Sequence, residues 1–394
     1  MIKIKLPFKA ALVVIFVVSQ VDAQQRSPRR GRFDAQIKAA LAEPYRGIYY
    51  LDVPPTGLFP IQKTGVSTEP VRQSAKAFLA SLSKEDRKKT VFPVDDIEWR
   101  KWDNRHFYVR QGVGFDKMTK GQRELAFNLL RTSLSARGLK QTQDIMKLNG
   151  TLAELTQRFD EYGQWLYWIT IMGEPSATKP WGWQLDGHHV VINYFVLGDQ
   201  VVMSPVFMGS EPVKAESGKF KGTIVSQAEQ NKGLAFINVL NKVQRAKAIV
   251  ASEKRPTNTV AESFKDNQVL DYIGIKCNEL SAKQREQLLD LINVYVGNMA
   301  KGHAKVKLAE VMKHLDKACF GWMGGIKKDS VFYYRIQSPA ILIEFDRQRP
   351  VGLARSSIPT RQHTHTVVRT PNGNDYGKDL LRQHYKLHHR KVGE

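Results

Sequence analysis

Cysteine is almost missing from this chain: Cys277 and Cys319 are the two in 394 residues. That scarcity excludes a disulfide-stapled scaffold and any CxxC metal pair. Also lacking are a glycine-rich phosphate loop, a G-x-S-x-G nucleophile elbow and an internal repeat. Nucleotide-loop chemistry and a serine-hydrolase elbow are therefore not indicated. After residue 23 no apolar run is long enough to span a bilayer, so no membrane span is expected. Acidic residues are few as well, 38 against 60 Lys and Arg, for a formal net charge of +22.

The start of the chain reads as a secretory signal peptide over residues 1–23. Lys3, Lys5 and Lys9 form a positive n-region, Ala10 to Val18 a short apolar core, and Val21-Asp22-Ala23 a small-residue cleavage site. No cysteine follows the cut, so lipid attachment there is not indicated. Cleavage would leave a soluble, exported, periplasmic or extracellular protein of net charge +20, since three lysines and Asp22 are lost. Basic residues gather at Arg26, Arg29, Arg30 and Arg32 and again from Arg382 through Lys386, Arg390 and Lys391. In an exported chain without a nucleic-acid module, such charge points to anionic glycans, envelope polymers or acidic substrates, or to basic ends with no specific partner. Nothing in the pattern sets the oligomeric state.

Residues 24–66, rich in Arg, Pro and Gly, read as an extended basic segment, and residues 67–394 as a single α+β domain with a basic C-terminal tail. Helix starts are expected at Ser83-Lys84-Glu85-Asp86 and at the capping box Thr119-Lys120-Gly121-Gln122, the latter helix ending near Gly138. Another helix is expected over Gln141 to Asp160, with helical texture over Ser226–Ser252 and Val260–Tyr272. Cys277 precedes a helical pattern opened by Ser281-Ala282-Lys283-Gln284, and Cys319 closes the next one. The two sulfurs would lie at one end of a helix hairpin, either bridged or as two buried thiols. Strands are expected over Trp165–Met172, His189–Leu197 and Gln200–Phe207, with a Gly198-Asp199 hairpin, then over Val331–Ile336, Ala340–Phe345 and Thr364–Val368. Helices in blocks and strands as hairpins give an antiparallel sheet packed with several α-helices.

Two histidine clusters stand out among ten histidines: Gly187-His188-His189 and His363-Thr364-His365. Imidazole is the commonest side-chain metal ligand and the usual acid-base group near neutral pH. At i and i+2 of a strand, His363 and His365 point to one face, whereas adjacent His188 and His189 diverge unless a bulge re-aims one. Asp186, Glu344, Asp346 and Asp375 offer carboxylates, and His384 follows on a C-terminal helix starting near Asp375. Three imidazoles and a carboxylate suit zinc, manganese or iron. Trp181 and Trp183 would form either a stacking wall for a sugar or plain core. Arg335, Arg355 and Arg369 would hold an anionic substrate or lie along the sheet edge.

Long motifs carry a family resemblance: Trp168 through Pro175, Pro180 through His189, Ser204 through Gly209, Phe332 through Ile336, Ile343 through Asp346, His363 through Arg369, Asn374 through Gly377, and His384-Tyr385. Together they resemble a bacterial family catalogued as a domain of unknown function, number thirty-five hundred, over about Ala75 to Tyr385. Ser338-Pro339 departs from the Gly-Pro expected there. The resemblance implies export and draws attention to the segments holding His188, His189, His363, His365, Asp375 and His384. It implies no activity.

The expectation that follows is an exported metal-dependent hydrolase or lyase acting on a carbohydrate-like or anionic substrate. His188, His189, His363 and His365 would hold a divalent ion. Glu344, Asp375, His384, Arg335 and Arg369 would do the chemistry, and Trp181, Trp183 and Asp186 would line the pocket. Two alternatives stand beside it: a non-catalytic envelope protein that binds anionic glycan, and an iron- or copper-dependent oxidoreductase.

Overall fold

The computed structural model describes residues 28–51 and 57–388. Residues 1–23, read from the sequence as a signal peptide, and the last residues of the basic tail, His389 onward, lie outside them. The chain divides into two units, residues 1–42 and 43–394. In the first, Pro28–Ala42 is helical rather than extended. Gln36, Ile37, Lys38, Ala39, Ala40 and Leu41 are helix-compatible and follow the last Pro and Gly of that stretch, which explains the difference.

The second unit is built on a 12-stranded, mostly antiparallel sheet. Eight strands form its body: β1 (Tyr167–Met172), β2 (Trp181–Gly187), β3 (Val190–Leu197), β4 (Gln200–Ser210), β5 (Cys319–Gly324), β6 (Phe332–Gln337), β7 (Leu342–Arg347) and β8 (Thr364–Arg369). Both β1–β4 and β5–β8 are four-stranded meanders, and β8 pairs antiparallel with β4 to join them. Each meander follows a helical run, so one layout occurs twice in the topology where the sequence shows no repeat. The fold is mixed α+β.

Side-chain alternation divides the sheet into two faces. Trp181, Trp183, Leu185, Tyr334 and Phe345 join the larger apolar cluster, against helices such as Ala136–Thr156 and Ala282–Val296. Leu342 and Val367 belong to the second cluster, under the loops 94–103 and 257–266. Position i±2 along β7 and β8 puts Glu344, Asp346, His365 and Arg369 on this loop-covered face.

Most expected helices form, with two instructive shifts. Thr119 makes its full capping box, but the helix Lys120–Ser133 stops before Gly138. Leu134 turns extended and the Ser135 side chain caps a new helix, Ala136–Thr156, by accepting from the Gly138 N–H. The stretch Val260–Tyr272 is not helical. The N–H groups of Asn258 and Thr259 just before it, and of Val260 and Ala261 at its start, donate to the carboxylates of Asp346 and Glu344, while Arg369 takes the carbonyls of Ala261 and Glu262, acceptors that a helix would need. Cys277 and Cys319 do lie close, since the Cys277 N–H donates to the Ala318 carbonyl at 2.7 Å, and they are not disulfide-bonded.

Candidate metal centre

The β2–β3 hairpin turns through His188 and His189, and His189 adopts a left-handed φ of 67°. That conformation is uncommon for a residue with a Cβ and marks a constrained position. It is held by backbone pairing on both sides: the His189 N–H donates to Asn104 O at 3.3 Å, and His189 O accepts from the Gly209 N–H at 2.8 Å. Register does the rest. Gly209 of β4 sits opposite His365 of β8, so the hairpin tip and the start of β8 meet at one end of the sheet's centre.

Three ring nitrogens converge there. His363 Nε2 lies 3.2 Å from His189 Nε2 and 3.0 Å from His365 Nε2, and the ligand atoms of all three fall within 4.8 Å of one another. All three residues are buried. The other nitrogen of two rings is already committed. His363 Nδ1 donates to the Arg349 carbonyl at 2.6 Å, and His365 Nδ1 donates to Glu262 Oε1 at 2.8 Å. Neither acceptor can donate back, so both rings spend an Nδ1–H outward and turn Nε2 to the centre, the atom that a neutral imidazole offers as a lone pair. Burial, with His365 beside it, pushes the His363 imidazole down to about 3. Burial, with His188 beside it, holds His189 well below the usual imidazole range. An imidazole held neutral in this way can accept a hydrogen bond from a neighbouring ring N–H or bind a cation.

The donor set fits a metal ion. Two imidazole nitrogens on one zinc, each at about 2.0–2.1 Å, stand roughly 2.8–3.4 Å apart for angles between 90° and tetrahedral. Glu262 serves as the partner that fixes the His365 ring. Its carboxyl is raised by burial, yet the His365 hydrogen bond wins and holds it down to about 2, as a carboxylate. Glu211 lies 3.8 Å from His363 Nδ1 and accepts from the N–H groups of Val351, Gly352 and Leu353, which pins the loop that leads into β8. Replacing Glu262 by Gln is expected to weaken metal affinity about 10–100-fold, measured by competition with a chromophoric chelator. Wild-type affinity in that variant would remove Glu262 from the account.

The remaining residues singled out from the sequence lie as follows. His188 is not in the trio: its ring lies 3.9 Å from that of His189, and its Nδ1 is 2.7 Å from Asn149 Oδ1. Trp181 and Trp183 are fully buried on the helix face, away from the histidines, because β2 alternates. Asp186 takes Arg110 Nε at 3.0 Å, and burial raises its carboxyl to about 7. Glu344 is not at the trio either; it binds the Val260 and Ala261 N–H groups and the Tyr333 hydroxyl. Arg335 donates to Asp271 O. Arg369 lies between Asp266 and Asp375, and Asp375 also accepts from Ser204 and the Thr370 N–H. His384 packs beside Tyr385 and His388 on the helix Lys378–His388.

These internal contacts still serve the centre indirectly. Glu344, Asp346 and Arg369 hold the loop 257–266, Arg369 through the carbonyls of Ala261 and Glu262, and that loop delivers Glu262. Sequence reading missed Glu262 because its segment carries a helical pattern. It also passed over His106, whose ring lies 5.7 Å from His188 and whose Nε2 is 3.0 Å from Glu161. The aromatic run His106-Phe107-Tyr108 was the available signal.

A mixed α+β protein with a buried, metal-competent histidine centre is the class that fold and site define. The family model described as "Protein of unknown function (DUF3500)" matches residues 64–378, and the chain belongs to that family. The matched span contains both meanders, the trio and Glu262, and ends before His384. Comparison with curated proteins and with solved structures found no match. Among the described residues no helix is long and apolar enough to cross a membrane.

Proposed function

We propose that this is an exported metal-dependent hydrolase whose ion, zinc first among the candidates, is held by His189, His363 and His365. The observation that carries the reading is the convergence of three Nε2 atoms, two of them turned inward by committed Nδ1 groups. An all-imidazole set favours zinc, copper or iron over manganese, which prefers oxygen ligands. Three protein ligands leave a further coordination position, the usual mark of a catalytic rather than a structural site. An ion there would supply Lewis acidity toward water and a substrate oxygen. Glu262 keeps His365 oriented, and His106, paired with Glu161 and partly exposed, is the group assigned to meet the substrate. Arg349, exposed and joined through its carbonyl to His363, supports an anionic substrate, as does the chain's overall charge.

The test is metal-dependent cleavage of chromogenic carboxylate, phosphate and sulfate esters by zinc-loaded and chelator-stripped protein. Activity on at least one ester, lost on stripping and restored by zinc, is expected. Ester cleavage unaffected by stripping would contradict the reading. A redox reading rests on the same imidazoles, and copper or iron in place of zinc on elemental analysis would favour it.

A further inference from the structure

On the face of the sheet opposite the histidines, two arginines meet with no carboxylate hydrogen-bonded to either among the described residues. Arg347 of β7 pairs in register with Thr364 of β8, so both point away from His363 and His365. Arg347 is 1% exposed. Its Nη1 donates to the Arg361 carbonyl at 2.6 Å and to the Thr364 hydroxyl, and its Nη2 donates to Gln230 Oε1. Arg361 Nη2 reaches the same Gln230 oxygen at 3.2 Å. One neutral amide oxygen thus serves two guanidinium groups.

Burying a cation is costly unless it is paired. Here Arg347 Nε and Arg361 Nε are both buried with no hydrogen-bond partner among the described residues. Glu229 attracts Arg347 only through space, its carboxylate being taken by Gln141 at 2.8 Å. The Phe345 ring, 5.3 Å from the Arg347 guanidinium carbon, gives modest relief. Burial and the Arg361 charge together pull the Arg347 guanidinium down, to about 9. Gln230 itself stands in the first turn of the helix Gln227–Val239, whose N-cap, Ser226, makes no side-chain capping bond. The positive end of that helix adds to the same spot, offset in part by Glu229 in its first turn.

We propose that Arg347, Arg361 and the first turn of the helix Gln227–Val239 form a binding site for a free tetrahedral oxyanion, inorganic phosphate or sulfate. Guanidinium forks and helix N-termini are the groups that recognise such anions. The side chain of Gln230 is the neutral stand-in that the anion replaces. Occupancy would steady the segment that carries the metal ligands, because Arg347 grips Arg361 and Thr364 on either side of His363. The inference stands independently of the metal reading.

The test is calorimetric titration of the purified protein with inorganic phosphate and, separately, sulfate at constant ionic strength, both as purified and after chelation to remove binding at the histidine centre. One saturable site that survives chelation is expected, with the tighter anion naming the occupant. Arg361→Gln, at a half-buried position that tolerates the change, is expected to weaken it at least tenfold, and Arg347→Gln likewise. Arg355→Gln, an exposed arginine of the same loop, is expected to leave affinity unchanged. Absence of a saturable site for both anions, or binding in Arg361→Gln equal to wild type, would overturn the proposal. So would an equal loss in Arg355→Gln, which would mark general attraction to a basic surface.

Discussion

His363→Ala and His365→Ala, each alone, are expected to abolish stoichiometric metal binding while leaving a folded protein. His363 contacts both other ring nitrogens, at 3.2 and 3.0 Å, so its loss removes a ligand and the centre of the arrangement. His365 carries the Glu262 partner, so its loss also leaves a half-buried carboxylate without its imidazole. In either variant the two remaining imidazoles make a weaker chelate than three. The fold should survive, because the apolar clusters that hold the sheet together include neither histidine. Equilibrium dialysis followed by elemental analysis reads the effect, with circular dichroism to confirm folding. Full metal content in both single variants would dissolve the site.

Gly209→Ala should do comparable damage without touching a ligand. A Cβ at Gly209 would lie 2.6 Å from the Thr364 carbonyl oxygen and 3.1 Å from the Cδ2 atoms of both His189 and His365. The carbonyl belongs to the β8 ladder and cannot move cheaply, so β8 and both rings must shift apart. Overpacking of this kind costs about 1–3 kcal/mol of stability. Because the rings are displaced in different directions, metal affinity should fall at least tenfold as well. Chemical denaturation measures the first effect and chelator competition the second. A variant as stable as wild type that binds metal equally well would show that the close approach at Gly209 is not what shapes the centre.

Much of this centre was legible in the sequence, and the illegible part has a physical cause. His363 and His365 follow from period-two alternation, and the hairpin turn at His189 is the kind of irregularity that re-aims a side chain. The resemblance to the family, read from the segments around both clusters over about Ala75 to Tyr385, is shown by the family model over residues 64–378. Carboxylates were harder to place. Asp375, Glu344 and Asp186 sit near the histidines in sequence or in the sheet, yet each is spent on buried donors of its own. Glu262, the one that touches a ligand, sits in a loop that reads as helix because its apolar spacing is helical. Long-range capture of its backbone, N–H groups by Glu344 and Asp346 and carbonyls by Arg369, goes with the loop, and no local pattern encodes that. Trp181 and Trp183 are adjacent in sequence to the histidines but on the opposite face, since two-residue alternation separates what proximity along the chain suggests joining.

X-ray absorption at the metal edge, on protein purified without chelator and supplemented with zinc, measures the shell directly. The expected spectrum shows three imidazole nitrogens at about 2.0–2.1 Å with one or more light oxygen-type neighbours. Protein that retains no ion after gel filtration, or a shell built from sulfur or from carboxylates alone, would contradict the three-histidine centre.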